Sequence, residues 1–356
     1  MNNLQLRGTR LGIIGDLHLG KHNTERWDDT YTKLGEWIIT TMQSEGIKDI
    51  MFLGDVFDGH KEKTNEKAIT FKMMSFISNY FTRFAEEFNV IIYSGNHCCY
   101  YKDRCDVSGL EMLKGRPNIQ IIEETTNFSV GDKNYKIVPW ACNIDDGGRV
   151  DGLFGHFDIK TFQMNAAKKS ESGFTTTQLF TYCDRVYTGH YHNRQLREYS
   201  KGTKSIYYVG TPLQLSWSEA GKESVISVVD LETNTMTDEF TNNFSPEFVK
   251  VTTSTLIESP EEYKNNILEV IWDVEHNEEN TMKVSNILDR GGNFAVRNNF
   301  SFKQETVIGE LTGLNSAVDP REILSVYISA IEGISDKDRN QLDTLGNHYL
   351  QLTGIC

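Results

Sequence analysis

Several things are scarce in this sequence. No stretch approaches the roughly 18 consecutive apolar residues that cross a bilayer, so no membrane-spanning helix and no membrane partner are expected. The opening residues, MNNLQLRGTRLGIIGD, contain an apolar stretch too brief for a signal peptide and no cleavage pattern behind it, so a cytoplasmic location is expected. The six cysteines, Cys98, Cys99, Cys105, Cys142, Cys183 and Cys356, include no C-x-x-C pair, which speaks against a disulfide framework or a zinc ribbon. They are expected to be reduced and mostly buried. Positive charge is also short: 36 basic residues face 50 acidic ones, for a net charge of −14. That balance argues against a self-sufficient nucleic-acid binder with a basic face. It leaves open an enzyme whose metal ions supply local positive charge, or one whose partner carries the basic surface. There is no internal repeat and no low-complexity tract.

What is present suits a folded chain. Hydrophobic residues make up 38% of the 356 and charged residues 24%. At roughly 100–200 residues per domain, the length allows two or three domains. Through residues 10–230, short apolar runs alternate with helical patterns. LGIIGD (11–16), DIMFLGD (49–55) and NVIIYSGNH (89–97) read as strands. Between them, residues 30–44 and 66–86 carry apolar side chains at helical spacing, Tyr31, Leu34, Ile38 and Met42 in the first and Ile69, Met73, Phe76, Ile77, Tyr80 and Phe84 in the second. Strand–helix–strand at this spacing implies βαβ units and a largely parallel sheet. The later strands, 118–124, 134–140, 150–156, 185–190, 205–210 and 224–230, are more closely spaced and suit a mixed or antiparallel second sheet. The expected class is therefore α/β, two packed sheets with flanking helices. The character changes at Ser245-Pro246, which sets a first domain at 1–245, a small α+β domain at 246–315 and C-terminal helices at 316–356.

Five of the nine histidines sit in short glycine-containing segments at strand ends: Gly15-Asp16-Leu17-His18, Gly95-Asn96-His97, Gly155-His156 and Gly189-His190-Tyr191-His192. Gly54-Asp55-Val56-Phe57-Asp58 places a carboxylate at the same kind of position. Glycine frees the turn, and the polar residue falls past the C-terminal edge of the sheet, where α/β folds place their sites. Residues i and i+2 on an extended stretch point the same way, so Asp16 with His18, and His190 with His192, can each offer two ligands to one site. With Asp55, Asn96 and His156 the set reaches seven N/O ligands and no sulfur, a mixture suited to Mn²⁺, Fe²⁺ or Zn²⁺. Seven are too many for one catalytic ion with an open position, and suit two ions sharing a bridging carboxylate. Such a centre binds phosphate and assists in-line displacement. Any one of these segments alone is more often a turn or a core histidine; the five in this order are not.

The set GDLH, GDVFD, GNH, GH and GHYH resembles the calcineurin-like metallophosphoesterase superfamily over residues 10–230. Within it, the whole chain resembles the nuclease subunits of nuclease–ATPase complexes that process DNA ends, the SbcD type, and the recombination nuclease subunits of T-even-like bacteriophages. VPWAC (138–142), YVGTPLQLSW (208–217) and the C-terminal VYISAIEGISDKDRNQL carry that likeness.

The resemblance implies a metallophosphoesterase sandwich at 1–245, a capping and DNA-binding domain at 246–315, and partner-binding helices at 316–356. It implies two divalent ions, Mn²⁺ first and Mg²⁺ as the alternative, with Asp16, His18 and His192 on one, Asn96, His156 and His190 on the other, and Asp55 bridging. His97 would contact the scissile phosphate and protonate the leaving oxygen. DNA, an SMC-like coiled-coil ATPase and a second copy of the chain are the implied partners. The apolar stripe at Ile323, Val326, Tyr327, Ala330 and Ile331 would meet the ATPase, and helix 66–86 the second copy.

There are departures. Cys98 follows GNH where the superfamily carries an acid that orients the histidine, and Asp58 stands where cellular members often carry histidine. His22, His60, His276 and His348 are read as ordinary surface or structural residues. The activity expected is metal-dependent DNA cleavage, both exonuclease and single-strand endonuclease. The alternatives are a phosphomonoesterase, which usually has an arginine after the second motif where this chain has Gly59, and a non-catalytic scaffold, which would have lost ligands.

Overall fold

The computed structural model describes residues 4–22, 24–58, 60–61, 67–144, 147–165, 168–275, 277–299, 324–325, 328–329 and 335–352. Along the chain run β1 (Arg10–Ile14), α1 (Glu25–Ser44), β2 (Asp49–Phe52), the two-residue strands β3 (His60–Lys61) and β4 (Lys67–Ala68), α2 (Phe71–Glu87), β5 (Asn89–Tyr93) and β6 (Ile119–Ile122). There follow β7 (Thr126–Val130), β8 (Lys133–Val138), β9 (Gly152–His156), α3 (Thr176–Tyr182), β10 (Arg185–Gly189), β11 (Gln195–Tyr199), β12 (Lys204–Tyr208), β13 (Val225–Asp230) and β14 (Thr235–Thr241). β15 (Phe248–Thr252), α4 (Thr253–Glu258), β16 (Ile267–Ile271), α5 (Glu278–Gly291) and β17 (Ala295–Asn299) come next, and a last helix spans Asp336–Leu352.

These elements build two six-stranded sheets. The first has the order β14-β13-β1-β2-β5-β6, the second β11-β12-β10-β9-β8-β7. Both are mixed. β1, β2, β5 and β6 are parallel, with β13 and β14 antiparallel at one side. β8, β9, β10 and β12 are parallel, with antiparallel β7 and β11 as edges. The segments 118–124 and 224–230 thus join the first sheet rather than the second. Spacing along the chain could not show this, because β13 returns across the molecule to pair with β1.

Alternation along each strand sorts the core into layers. Leu11, Ile13, Met51, Leu53, Ile91 and Tyr93 of the first sheet meet Tyr135, Ile137, Phe154, Tyr187 and Tyr207 of the second. The opposite residues of the first sheet, Ile14, Ile50, Phe52, Val90 and Ile92, pack under Leu34, Ile38 and Met42 of α1 and Ile77, Phe81 and Phe84 of α2. Burying side chains of this size stabilises the fold by about 1.5–3 kcal/mol each. Thr24 and Thr70 cap the two helices by accepting from the Trp27 and Met73 amides. Helix α1 begins five residues before the expected 30, because Thr24 supplies its cap. The outer face of the second sheet is covered by Leu179 of α3 and by Phe157, Ile159 and Phe162.

Residues 248–299 form a separate three-stranded parallel sheet, β15-β16-β17, with its own core of Val251, Leu256, Leu268, Val270, Trp272 and Val284. Residues 336–352 form one continuous helix within the segment 316–356, where helices are expected. The stripe at Ile323, Val326, Tyr327, Ala330 and Ile331, together with Gly59 and His276, lies outside the described residues, as do the side chains of His60 and His348.

Candidate metal centre

The residues singled out in the sequence follow the C-terminal ends of β1, β2, β5, β9 and β10, where the two sheets face one another. At three of them the backbone is not extended. His18, Asp55 and His190 have φ of 48°, 42° and 96°. For non-glycine residues the left-handed region costs on the order of 1–3 kcal/mol each, and such conformations gather at functional sites. These turns redirect the side chains, so the expectation that i and i+2 point alike fails at His190 and His192. His190 Nδ1 reaches Asn96 Oδ1 at 2.9 Å, whereas His192 Nε2 lies 3.1 Å from His18 Nε2. Two neighbouring residues thereby serve two neighbouring clusters.

One cluster is Asp16, His18 and His192; another is Asp55, His156 and His190, whose ligand atoms lie within 4.8 Å of one another in each case. Asn96 Oδ1 belongs with the second, 3.1 Å from His156 Nε2. Asp55 lies between them: its Oδ2 is 3.2 Å from His156 Nε2 and 3.8 Å from His18 Nε2. A third grouping, His18, Asp55 and His97, overlaps both. Asp16, His18, Asp55 and His156 are buried, whereas 39% of the His97 side chain is exposed. Glycine makes this crowding possible. A Cβ on Gly95 would fall 2.2 Å from Asp55 Oδ1, and one on Gly54 2.4 Å from His156 Nδ1.

The donor chemistry fits divalent cations. His156 Nδ1 donates to the Leu53 carbonyl at 2.8 Å, and His192 Nδ1 to Glu219 Oε1 at 2.9 Å. Those bonds assign the proton to Nδ1 and turn the Nε2 lone pair of each ring inward. With neutral rings the Nε2 lone pair of His156 then faces the oxygens of Asn96 and Asp55, and that of His192 faces His18 Nε2. A cation completes such a set, and without one a proton on His156 does. Burial would raise the Asp55 carboxyl, but the charge and hydrogen bond of His156, with His18 and His97, hold it well below the usual range. Burial disfavours a charged His156, yet Asp55 and Asp16 hold its pKa up to about 9. Burial and then the neighbouring His156 push His190 down to about 4, and burial lowers His18. His190 and His18 are therefore neutral imidazoles, as ligands must be.

Sequence reasoning missed three participants. Asp58 Oδ1 accepts from His97 Nδ1 at 2.9 Å, and its Oδ2 lies 3.4 Å from His18 Nδ1. The departure at position 58 was its only signal. Glu219 holds His192 while its other oxygen accepts from the Leu215 and Ser216 amides. It lies two residues past the end of YVGTPLQLSW and had no signal of its own. Trp140, at the centre of VPWAC, sets its ring 5.3 Å from His190 and 5.9 Å from His156 and walls that side of the site.

A two-sheet α/β sandwich that gathers imidazoles and carboxylates at its strand ends defines a metal-dependent phosphoesterase. The chain belongs to the calcineurin-like phosphoesterase family, whose profile matches residues 9–200. Among solved structures it is similar to Yfce, a phosphoesterase from E. coli, at 12% identity over 66% of this chain and 100% of that one, with a TM-score of 0.32. It is also similar to a predicted phosphoesterase from Streptococcus pneumoniae, at 11% identity over 66% of this chain and 98% of that one, with a TM-score of 0.28. Scores of this size carry no argument, and the family rests on the profile. No curated protein matches the chain. Among the described residues, no helix is long and apolar enough to cross a membrane.

Proposed function

We propose that this phosphoesterase is a DNA nuclease, an exonuclease on duplex ends and an endonuclease on single strands, acting within a nuclease–ATPase complex in recombination, repair and replication. The observation that carries the reading is the placement of Asp55 between two clusters of imidazole and carboxylate side chains. Asp16, His18 and His192 would hold one divalent ion, and Asn96, His156 and His190 the other, with Asp55 shared. Mn²⁺ suits this donor set best, with Mg²⁺ the alternative. Two such ions polarise a bound phosphate and supply a nucleophilic water.

The chain's own residues do the rest. His97, half-exposed at the edge of the clusters, meets the phosphate and delivers a proton from its ring to the leaving oxygen. Asp58 fixes that ring through Nδ1 and leaves Nε2 toward substrate. Asp58 also bears on the substrate class. Burial would raise its carboxyl, but hydrogen bonds from His18 and His97 hold it far below the ordinary range, so it stays ionised. A phosphodiester brings one negative charge to this position and a phosphomonoester two, and the carboxylate opposes the second. The resemblance along the chain to DNA end-processing nucleases supports the same substrate and implies an SMC-like ATPase at the C-terminal helices and a homodimer through α2.

The test is cleavage of end-labelled duplex DNA and circular single-stranded DNA with Mn²⁺ or Mg²⁺, beside p-nitrophenyl phosphate, with Asp55→Ala as control. Metal-dependent DNA cleavage lost in the control supports the proposal. Turnover of the small monoester alone overturns it in favour of a phosphatase. Pull-down of the ATPase by a chain lacking residues 319–356 would rule out the partner assignment.

A further inference from the structure

Cysteines were expected to be reduced and mostly buried, and Cys98, Cys99 and Cys183 are buried. Cys105 and Cys142 are different. Both are partly exposed, they are 37 residues apart in sequence, and their sulfurs lie 3.3 Å from one another. Both thiols also point at one backbone carbonyl, that of Glu123, at 3.7 and 3.6 Å.

Their positions connect them to the metal centre from two sides. Cys105 lies on a hairpin that leaves the site immediately after Asn96 and His97 and is closed by the Tyr100 amide on the Val107 carbonyl at 2.9 Å. Cys142 lies two residues after Trp140, whose ring walls His190 and His156. The indole Nε1 of Trp140 donates to the Lys102 carbonyl of the hairpin at 2.8 Å. Hairpin and tryptophan segment are therefore already in register, and the sulfurs need approach only from 3.3 Å to the roughly 2.05 Å of a disulfide.

We propose that Cys105 and Cys142 form a reversible dithiol–disulfide pair, closed by low-molecular-weight disulfides such as oxidised glutathione, that clamps the His97 hairpin to the Trp140 segment. The exchange balances. The Cys105 thiolate attacks one sulfur of the small disulfide, whose other sulfur leaves as a thiol. Cys142 then attacks the Cys105 sulfur and releases the second thiol. Two protein thiols are oxidised to one bond and one small disulfide is reduced to two thiols, with the two protein protons carried off on them. Burial, and then the Cys105 contact, push the Cys142 thiol up to about 12, and the same bond results whichever of the two sulfurs attacks first. Pairs of this kind inside cells are transient and redox-responsive.

Drawing the sulfurs together pulls on the loop that holds Asn96 and His97. Displacements of this order at a site cost as much as about 100-fold in turnover, so oxidation is expected to slow hydrolysis by about tenfold or more. That consequence rests on the phosphoesterase reading of the site, whereas formation of the bond does not. The full-length protein is treated with oxidised glutathione, digested without reduction and analysed by mass spectrometry. In parallel, hydrolysis of bis-p-nitrophenyl phosphate is followed with Mn²⁺ before oxidation, after it, and after re-reduction.

A cross-linked peptide joining Cys105 to Cys142, two dalton lighter than its reduced parts (two hydrogens lost), is expected in the wild type and absent from Cys105→Ser and Cys142→Ser. Slowed turnover should recover on reduction, and both variants should be indifferent to the oxidant. Stable glutathione adducts without the cross-link, or pairing of Cys142 with Cys99, overturn the pair. A cross-linked protein that turns over at the unoxidised rate overturns its hold on the site. Loss of all hydrolysis before oxidation would instead indict the phosphoesterase reading and leave the cross-link to be judged by mass.

Discussion

Nδ1 of His97 sits 2.9 Å from Oδ1 of Asp58, and this pair replaces the arrangement expected of the residue after GNH. That residue is Cys98, which is buried and whose thiol burial pushes well up, so it has no charge to offer His97. The carboxylate comes from the second motif, three residues past Asp55. Because the other oxygen of Asp58 faces His18, one side chain orients both the candidate proton donor and a candidate ligand.

Asp58→Asn keeps the shape and removes the charge. Turnover is expected to fall about 10–100-fold, as when a group supporting a site residue is lost, while bound metal stays near the wild-type amount. His97→Ala is expected to lose more, about 10²–10⁴-fold, also with metal retained. Steady-state kinetics with metal analysis of the dialysed proteins checks both. Loss of metal from His97→Ala would place His97 among the ligands.

Metal stoichiometry separates the bridging residue from the others. Asp55 touches both clusters, so Asp55→Ala is expected to retain neither ion after dialysis. His192 touches only the cluster of Asp16 and His18, so His192→Ala is expected to keep one ion of two. Two ions bound by Asp55→Ala would remove it from the bridging position.

The strands that the sequence made legible are those buried on both faces. Ile50, Met51 and Phe52 of β2 read as an apolar run because one side meets the helices and the other the second sheet. Of the edge strands, β6 read through its buried Ile119 and Ile122, but β7, β11 and β14 did not. β14, with the sequence TMTDEFT, and β11, with QLREY, are half-buried or exposed throughout, so nothing apolar announces them. The site divides in the same way. Asp16, His18, Asp55, Asn96, His97, His156, His190 and His192 were marked by local glycine and strand-end chemistry, and the structure brings all eight together. Glu219 was not marked, because its contact with His192 spans 27 residues and exists only once β12 and the turn after it are in place. The division of His190 and His192 between clusters depends on a φ of 96°, which no residue type announces.

Glu219 gives a measurable pH signature. Burial would raise its carboxyl, but the hydrogen bond and charge of His192, with Ser218 and Ser216, hold it at about 2, below its ordinary 4.5. A depressed carboxyl contributes stability that is present above the ordinary value and lost as pH falls through the folded one. Without metal, the melting temperature of Glu219→Gln is therefore expected to fall less steeply than wild type between pH 4.5 and 2. At neutral pH the same variant is expected to bind metal about 10–100-fold more weakly, since His192 loses its orienting acceptor. Parallel melting curves would sink the assignment.

Gly54 tests whether crowding or backbone strain enforces the glycines. Its φ is 90°, and a Cβ there would lie 2.4 Å from His156 Nδ1, the atom bonded to the Leu53 carbonyl. Gly131, in the turn between β7 and β8, also has a left-handed φ of 58°, but nothing lies within 4 Å of its added Cβ. Strain alone would cost the two alanine variants similar amounts, on the order of 1 kcal/mol. Crowding adds the displacement of His156 at position 54 only. Gly54→Ala is thus expected to be destabilised by at least about 2 kcal/mol and to lose the ion assigned to His156, whereas Gly131→Ala loses about 1 kcal/mol and keeps both ions. Urea unfolding beside metal analysis reads both quantities. Equal destabilisation, with metal retained in each, would show that His156 yields to the added methyl and that the close approach of β2 to β9 does not fix the ligand.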